Sequence, residues 1–156
     1  MAKVEIEKTF RVPLDKVVEY FGNYELYHSM HTRSDTSYTI VSQRDNEVLV
    51  NVKQEVGGRA LNFSNKTIYR LPHRIETETL SGVVKGSWQR IVFQSVSEGT
   101  KVTYTTDLKM QFGGMAGKAL RVVSGKMMKK MTRESLEEIA EADRKHLEGE
   151  QPSTPT

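Results

Sequence analysis

The chain has no cysteine among its 156 residues. That absence removes disulfides, thiol nucleophiles and thiolate metal sites together. Its apolar runs are far too short to cross a bilayer, and its N-terminus lacks the apolar core of a signal peptide. A soluble, cytoplasmic protein is therefore expected. No Gly-x-Ser-x-Gly, Walker loop, Rossmann glycine fingerprint or His-Glu-x-x-His occurs. Without an evident nucleophile and base, hydrolase chemistry has little to stand on. Excess charge of one sign is also small: 23 Lys and Arg against 20 Asp and Glu leave +3 with neutral His. A nucleic-acid binder concentrates a larger excess on one face, so no nucleic-acid partner is expected. No internal repeat is visible, and nothing in the sequence calls for a cofactor.

What is present points to one packed domain. With 37% apolar and 28% charged residues the composition is globular, and the length suits a single sizeable core. We read residues 1–148 as that domain. The last eight residues, Gly149-Glu150-Gln151-Pro152-Ser153-Thr154-Pro155-Thr156, have the composition of a disordered tail.

Periodicity places the elements. Lys3 to Phe10 alternates, with Val4, Ile6 and Phe10 on one face, as a strand does. Pro13 suits the first turn of a short helix whose apolar stripe is Leu14, Val17, Val18 and Phe21. Gly22-Asn23 stops it, and Tyr24 to Met30 makes a second short helix rich in aromatic and Met side chains. From Thr36 to Thr106 the pattern predicts six strands. The links between them are Arg44-Asp45-Asn46-Glu47, Gly57-Gly58, Leu71-Pro72-His73, Ser81-Gly82 and Ser97-Glu98-Gly99. Such short connections pair neighbouring strands in sequence order.

Past Gly113-Gly114 one long amphipathic helix is predicted from about Met115 to His146. Its apolar positions are Ala116, Leu120, Val123, Met127, Met131, Ile139 and Ala142. A helix of this length needs a broad apolar surface beneath it, and the rest of the chain supplies mostly strands. Its charge is split. Lys118, Arg121, Lys126, Lys129, Lys130 and Arg133 come first, and Glu134, Glu137, Glu138, Glu141, Asp143, Glu148 and Glu150 follow, against Arg144 and Lys145. This order opposes the helix dipole. It reads either as a basic patch for an anionic membrane, ligand or protein, or as a solvated face steadied by pairs such as Lys130 with Glu134.

The order strand, two short helices, six strands, long helix resembles the helix-grip superfamily. That group includes START lipid-transfer domains, birch-pollen allergen relatives and polyketide cyclase/dehydrase-like proteins (SRPBCC). The residues that carry the resemblance are Phe10-Arg11-Val12-Pro13-Leu14-Asp15-Lys16-Val17, Gly86-Ser87-Trp88 and Glu98-Gly99-Thr100-Lys101-Val102. It spans Lys3 to His146. It implies an α+β helix-grip fold, in which a curved seven-stranded antiparallel sheet wraps around the long C-terminal helix. Two short helices lie between strands 1 and 2. An apolar cavity between sheet and helix is implied, with the short helices at its mouth. The superfamily offers no common catalytic residue to transfer. The glycine-rich loop of the pollen-allergen branch is absent, since Arg44-Asp45-Asn46-Glu47 stands in its place.

Period-two alternation then selects the cavity wall. On the seventh strand Val102, Tyr104, Thr106, Leu108 and Met110 share the inner face. On the fourth, Leu61, Phe63, Asn65, Thr67 and Tyr69 point in. On the sixth the Trp88, Arg90 and Val92 set is expected inside, with a bulge bringing Phe93 partly inward. From the helix, Leu120, Val123, Met127 and Met131 are expected to line the roof. The alternative is that Trp88 and the tyrosines fill the core while Arg90 sits in water. Met115, Met127, Met128 and Met131 read as adaptable lining or as ordinary core filler.

Tyr24, Tyr27, His28 and His31 are expected at the cavity mouth. Glu25, His28 and His31 could approach one another on a helix, but the last spacing drifts around it, so no metal site is expected. His28 or His31 is a candidate general base should the protein be an enzyme. His73 and His146 read as surface residues.

The expected function is a binding or carrier protein that encloses a small hydrophobic molecule: a lipid, isoprenoid or aromatic metabolite. The alternative is a cyclase or dehydratase-like enzyme using the same cavity, with Tyr104, Arg90, Tyr69 and His28 as candidates. A third reading is a protein-interaction module of the chaperone-activator kind, acting through surface patches. Either a monomer or a homodimer fits.

Overall fold

The computed structural model describes residues 2–31, 36–56, 58–109 and 114–149; among these, side chains 2, 29–31, 56, 59, 114–125 and 128 lie outside the description. The elements are β1 (Ala2–Phe10), α1 (Leu14–Gly22), α2 (Tyr24–His31), β2 (Thr36–Arg44), β3 (Glu47–Val56), β4 (Arg59–Arg70), β5 (Arg74–Thr79), β6 (Trp88–Val96), β7 (Gly99–Leu108) and α3 (Gly114–Leu147). Seven antiparallel strands form one curved sheet in the order β1-β7-β6-β5-β4-β3-β2. Strands two to seven therefore meander, each pairing with the next, and β1 closes beside β7. Among the described residues no helix is long and apolar enough to cross a membrane.

Local chemistry explains the joints. Pro13 caps α1 with extended backbone and a φ of −61°, which its ring imposes in any case. The β2–β3 turn holds Asp45 at a φ of +49°, a left-handed conformation that Asp tolerates better than most residues. At the start of β7, Gly99 has a φ of +144° and lies so close to Phe10 that a Cβ would collide with the Phe10 carbonyl. Beside it, the buried Thr100 hydroxyl donates to the Val12 carbonyl at 2.8 Å. These two residues fix the corner where β1 leaves the sheet for α1.

One difference from the sequence reading concerns the β5–β6 link. Residues 81–86 form turns and bends, and β6 begins at Trp88 rather than directly after the Ser81-Gly82 link. The buried Ser87 hydroxyl bridges to the Lys109 carbonyl at 3.1 Å and accepts the Lys109 N–H at 2.8 Å.

The apolar residues collect in two clusters. The larger joins β1, β5, β6 and β7 to α1 and α3, and includes Val4, Phe10, Val17, Phe21, Ile91, Phe93, Val102, Tyr104, Leu136 and Ala140. The α1 stripe is as the sequence predicts, with Tyr20 added. The smaller cluster is Tyr24, Val48 and Val50, with Tyr38, Ile40, Val52 and Tyr69 packed on it. α3 rests chiefly on β1, with smaller contacts to α1 and β7. Its main contacts thus fall on the β1–β7 side of the sheet.

Candidate functional site

Strand register sorts every wall residue to one face, because directly opposed residues in antiparallel strands share a side. Ile6 opposes Tyr104, Tyr104 opposes Ile91, Ile91 opposes Ile75 and Ile75 opposes Tyr69. All but Tyr69 are buried, and Phe21 of α1 packs on Phe93 and Tyr104 with ring centroids 5.2 and 6.3 Å apart. This is the face turned to the helices. Phe63, Asn65 and Tyr69 lie on it, half-buried, as do Thr106 and Leu108. Tyr104 lies on it too, at 0% exposure.

Trp88 and Arg90 do not. Trp88 opposes Asp107 and Glu78, and Arg90 opposes Thr105 and Glu76, so both lie on the outer face. The β6–β7 ladder runs without a shift from Trp88 to Val96, so no bulge is needed: Gln89, Ile91 and Phe93 simply take the inner side. Both phases of β6 are apolar enough to be buried, which is why alternation misled here. Outside, Trp88 is covered by cations, with the Arg90 guanidinium 5.1 Å and the Lys3 ammonium 5.8 Å from its ring. A surface groove of about 470 Å³ runs beside it, between Lys66, Glu78, Arg90 and Lys109.

The methionines are also corrected. Met127 is 61% and Met131 62% exposed, so neither lines the roof nor fills the core. Leu136, Ala140, Asp143 and Leu147 make the stripe that meets the sheet and α1. At 3.6 residues per turn Met127 lies roughly 180°, and Met131 roughly 140°, around the helix from Leu136. The step of eight from Met131 to Ile139 marks the change of phase. The side chains of Met115, Leu120, Val123, Met128 and His31 fall outside the described residues, as do Met110 and residues 150–156 of the expected tail.

The functional residue that sequence reasoning missed is Asp143. Its side chain is fully buried and is held by three phenols from three elements. Tyr104 of β7 donates to Oδ2 at 2.6 Å, Tyr20 of α1 to Oδ1 at 2.7 Å, and Tyr27 of α2 to Oδ2 at 3.3 Å. Burial, and then the Asp143 charge, push the three phenols far above the usual tyrosine range. They therefore remain protonated donors. A buried carboxylate without partners costs several kcal/mol, and this cluster answers that cost with charge-assisted hydrogen bonds. Both oxygens are engaged and shielded from solvent, so Asp143 acts as a tie between elements rather than as a base. The available signal was an acid in phase with Leu136, Ala140 and Leu147. His146 is exposed, as expected, and its ring stacks on Tyr20 with centroids 4.7 Å apart.

At the expected mouth, Tyr24 is buried, while Tyr27 and His28 are half-buried. His28 lies against Tyr24 at 3.9 Å and Tyr38 at 5.3 Å between centroids. Burial pushes the Tyr24 and Tyr69 phenols well above the usual range. Aromatic rings thus gather at the β2–β4 end of the inner face. No group of three or more His, Asp and Glu that could hold a metal occurs among the described residues.

The chain's relatives can be set beside this geometry. The family model for polyketide cyclase/dehydrase and lipid transport proteins matches residues 1–142. No curated protein matches the chain by sequence. A Thermus thermophilus protein superposes with a TM-score of 0.76 at 14% identity, over 96% of this chain and 99% of that one. A START superfamily protein from Mycobacterium smegmatis gives 0.70 at 16%, over 96% and 99%. The Zhui aromatase/cyclase from Streptomyces sp. R1128 gives 0.67 at 18%, over 95% and 92%. At these identities the likeness is one of fold.

Proposed function

The chain belongs to the polyketide cyclase/dehydrase and lipid transport family, and from that premise we propose that it encloses a small hydrophobic molecule between sheet and α3 as a binding or carrier protein. One observation carries the reading. The helix-facing side of β3–β7 is only partly buried at Phe63, Asn65, Tyr69, Gln89 and Thr106, whereas the same face nearer β1 and α1 is packed shut. Apolar and aromatic side chains interspersed with a few polar groups are the usual makeup of a small-molecule site. The walls that would receive the ligand are the partly buried Val52, Tyr38 and Tyr69 and the polar positions of β4–β7, backed by the buried Val48, Val50 and Tyr24.

The enzyme alternative has less support from the named candidates. Arg90 points away from this wall, and the Tyr104 hydroxyl is engaged by Asp143. Of the four residues considered, Tyr69 and His28 keep a position from which to move a proton. Native mass spectrometry of protein purified without detergent, followed by organic extraction, tests the proposal. A co-purifying or re-bindable apolar molecule at one per chain is expected. Its chemical conversion on incubation would replace the carrier by an enzyme, and a chain that takes up no apolar compound would remove both.

A further inference from the structure

We propose that the molecule received by this wall is uncharged and carries hydroxyl or carbonyl groups along one edge of an apolar body. The inference rests on the enclosure proposed above and narrows what can be enclosed. In the central spans of β3 to β7, residues 48–52, 63–69, 75–79, 89–93 and 102–108, the charged residues are Lys66, Glu76, Glu78, Arg90 and Asp107. Register puts all five on the outer face. The inner face of those spans is neutral throughout. Charged groups also reach this side from β1 and α3 among the described residues, and Arg133 of α3 donates to the Glu5 carbonyl of β1 at 3.5 Å. Asp143 is already held by three phenols, and Lys8 of β1 pairs with Glu141 at 4.0 Å near the rim.

Neutral does not mean apolar. Thr67, Thr77, Gln89 and Thr106 oppose one another in turn across β4, β5, β6 and β7, a straight row roughly 14 Å long at the usual strand spacing. Val48 on β3 and Val4 on β1 end it. Part of the row satisfies itself: the Thr67 and Thr77 hydroxyls lie 3.0 Å apart, and Thr79 donates to the Asn65 side-chain carbonyl at 2.8 Å. That leaves the Asn65 amide N–H groups, the Gln89 amide and the Thr106 hydroxyl without a hydrogen-bond partner among the described residues. Their side chains are half-buried. Amides and hydroxyls both donate and accept, so they suit hydroxyl and carbonyl groups on a ligand. A carboxylate or phosphate on the same wall would lose its hydration and meet no cation there, at a cost of several kcal/mol.

A matched pair of fluorescent probes separates these cases: 9-anthracenemethanol and anthracene-9-carboxylate share a ring system and differ in charge. The alcohol should bind the wild-type protein at least about tenfold more tightly, the equivalent of a modest desolvation penalty. Gln89→Leu and Thr106→Val should each weaken the alcohol by about three- to tenfold, as expected for one lost hydrogen bond. A carboxylate that binds as tightly as the alcohol overturns the inference and leaves the enclosure standing. Two variants that both bind the alcohol like wild type overturn its hydrogen-bonding half. If wild type binds neither probe, the enclosure itself falls and this inference with it.

Discussion

The inner face of this sheet is built in two halves that use tyrosine in opposite ways. At the β1–β7–β6 end, Tyr20 and Tyr104 are buried beside α1 and α3 and, with Tyr27, surround a carboxylate that they satisfy. At the β2–β4 end, Tyr38 and Tyr69 are half-buried against Val48, Val50 and Val52, and no carboxylate comes near them among the described residues. The first half is closed, because a buried Asp forces the surrounding donors to converge. The second is held by non-directional contacts, which tolerate a guest. The difference teaches that polar groups, more than apolar ones, decide where this fold is closed. Tyr69 touches both clusters and stands at the boundary.

The largest effect should come from breaking the closed half. Asp143→Ala leaves buried phenols without their acceptor and should cost about 3–5 kcal/mol in urea denaturation. A loss below about 1 kcal/mol would show that the tie is not what closes this half. Asp143→Asn should fall between, since an amide accepts through one oxygen only.

The same half should set the alkaline limit. Tyr20, Tyr27 and Tyr104 have pKa values raised from 10.0 by burial first and the Asp143 charge second. Folded chains keep these protons while unfolded chains release them near pH 10. Their contribution is therefore full below pH 10 and is lost as pH rises above it, by about 1.4 kcal/mol per pH unit for each phenol. Circular dichroism from pH 8 to 11.5 should show steep unfolding at the top of that range. Tyr104→Phe should lower stability at pH 7 by about 1–3 kcal/mol and flatten this decline; an equally steep curve in the variant would exclude Tyr104 from it.

A pair of phenylalanines sharpens the contrast further. Phe93→Ala, in the closed cluster, should cost about 3–4 kcal/mol. Phe63→Ala, half-buried on the open wall, should cost about 1 kcal/mol and instead weaken binding of an apolar probe. Equal losses from the two would erase the distinction between halves. The smallest effect belongs to the outer face. Trp88→Ala should change stability by about 1 kcal/mol at most, since its partners are exposed cations, and should leave probe affinity unaltered. A tenfold loss of affinity would return Trp88 to the ligand side.

How far the sequence could be read depended on whether a pattern had one solution or two. On β7, Val102 and Tyr104 are apolar while their neighbours Thr103 and Thr105 are not, so the phase was unambiguous and the structure buries the first pair deepest. On β6, Trp88 and Val92 compete with Ile91 and Phe93. Local alternation cannot choose between them. On α3 the stripe of Met127 and Met131 does not continue into that of Leu136 and Ala140, and a helix cannot present both to one sheet.

The sequence by itself determined the order of elements, the antiparallel meander and the family resemblance, because these follow from local periodicity, turn residues and short connections. Only the tertiary structure decided which phase of β6 is buried: that rests on Phe21 reaching Phe93 from α1. It alone made Asp143 a buried tie, since the phenols that hold it lie 39, 116 and 123 residues away along the chain. No window of local sequence contains those partners, and the burial of a charge is settled by the donors that reach it.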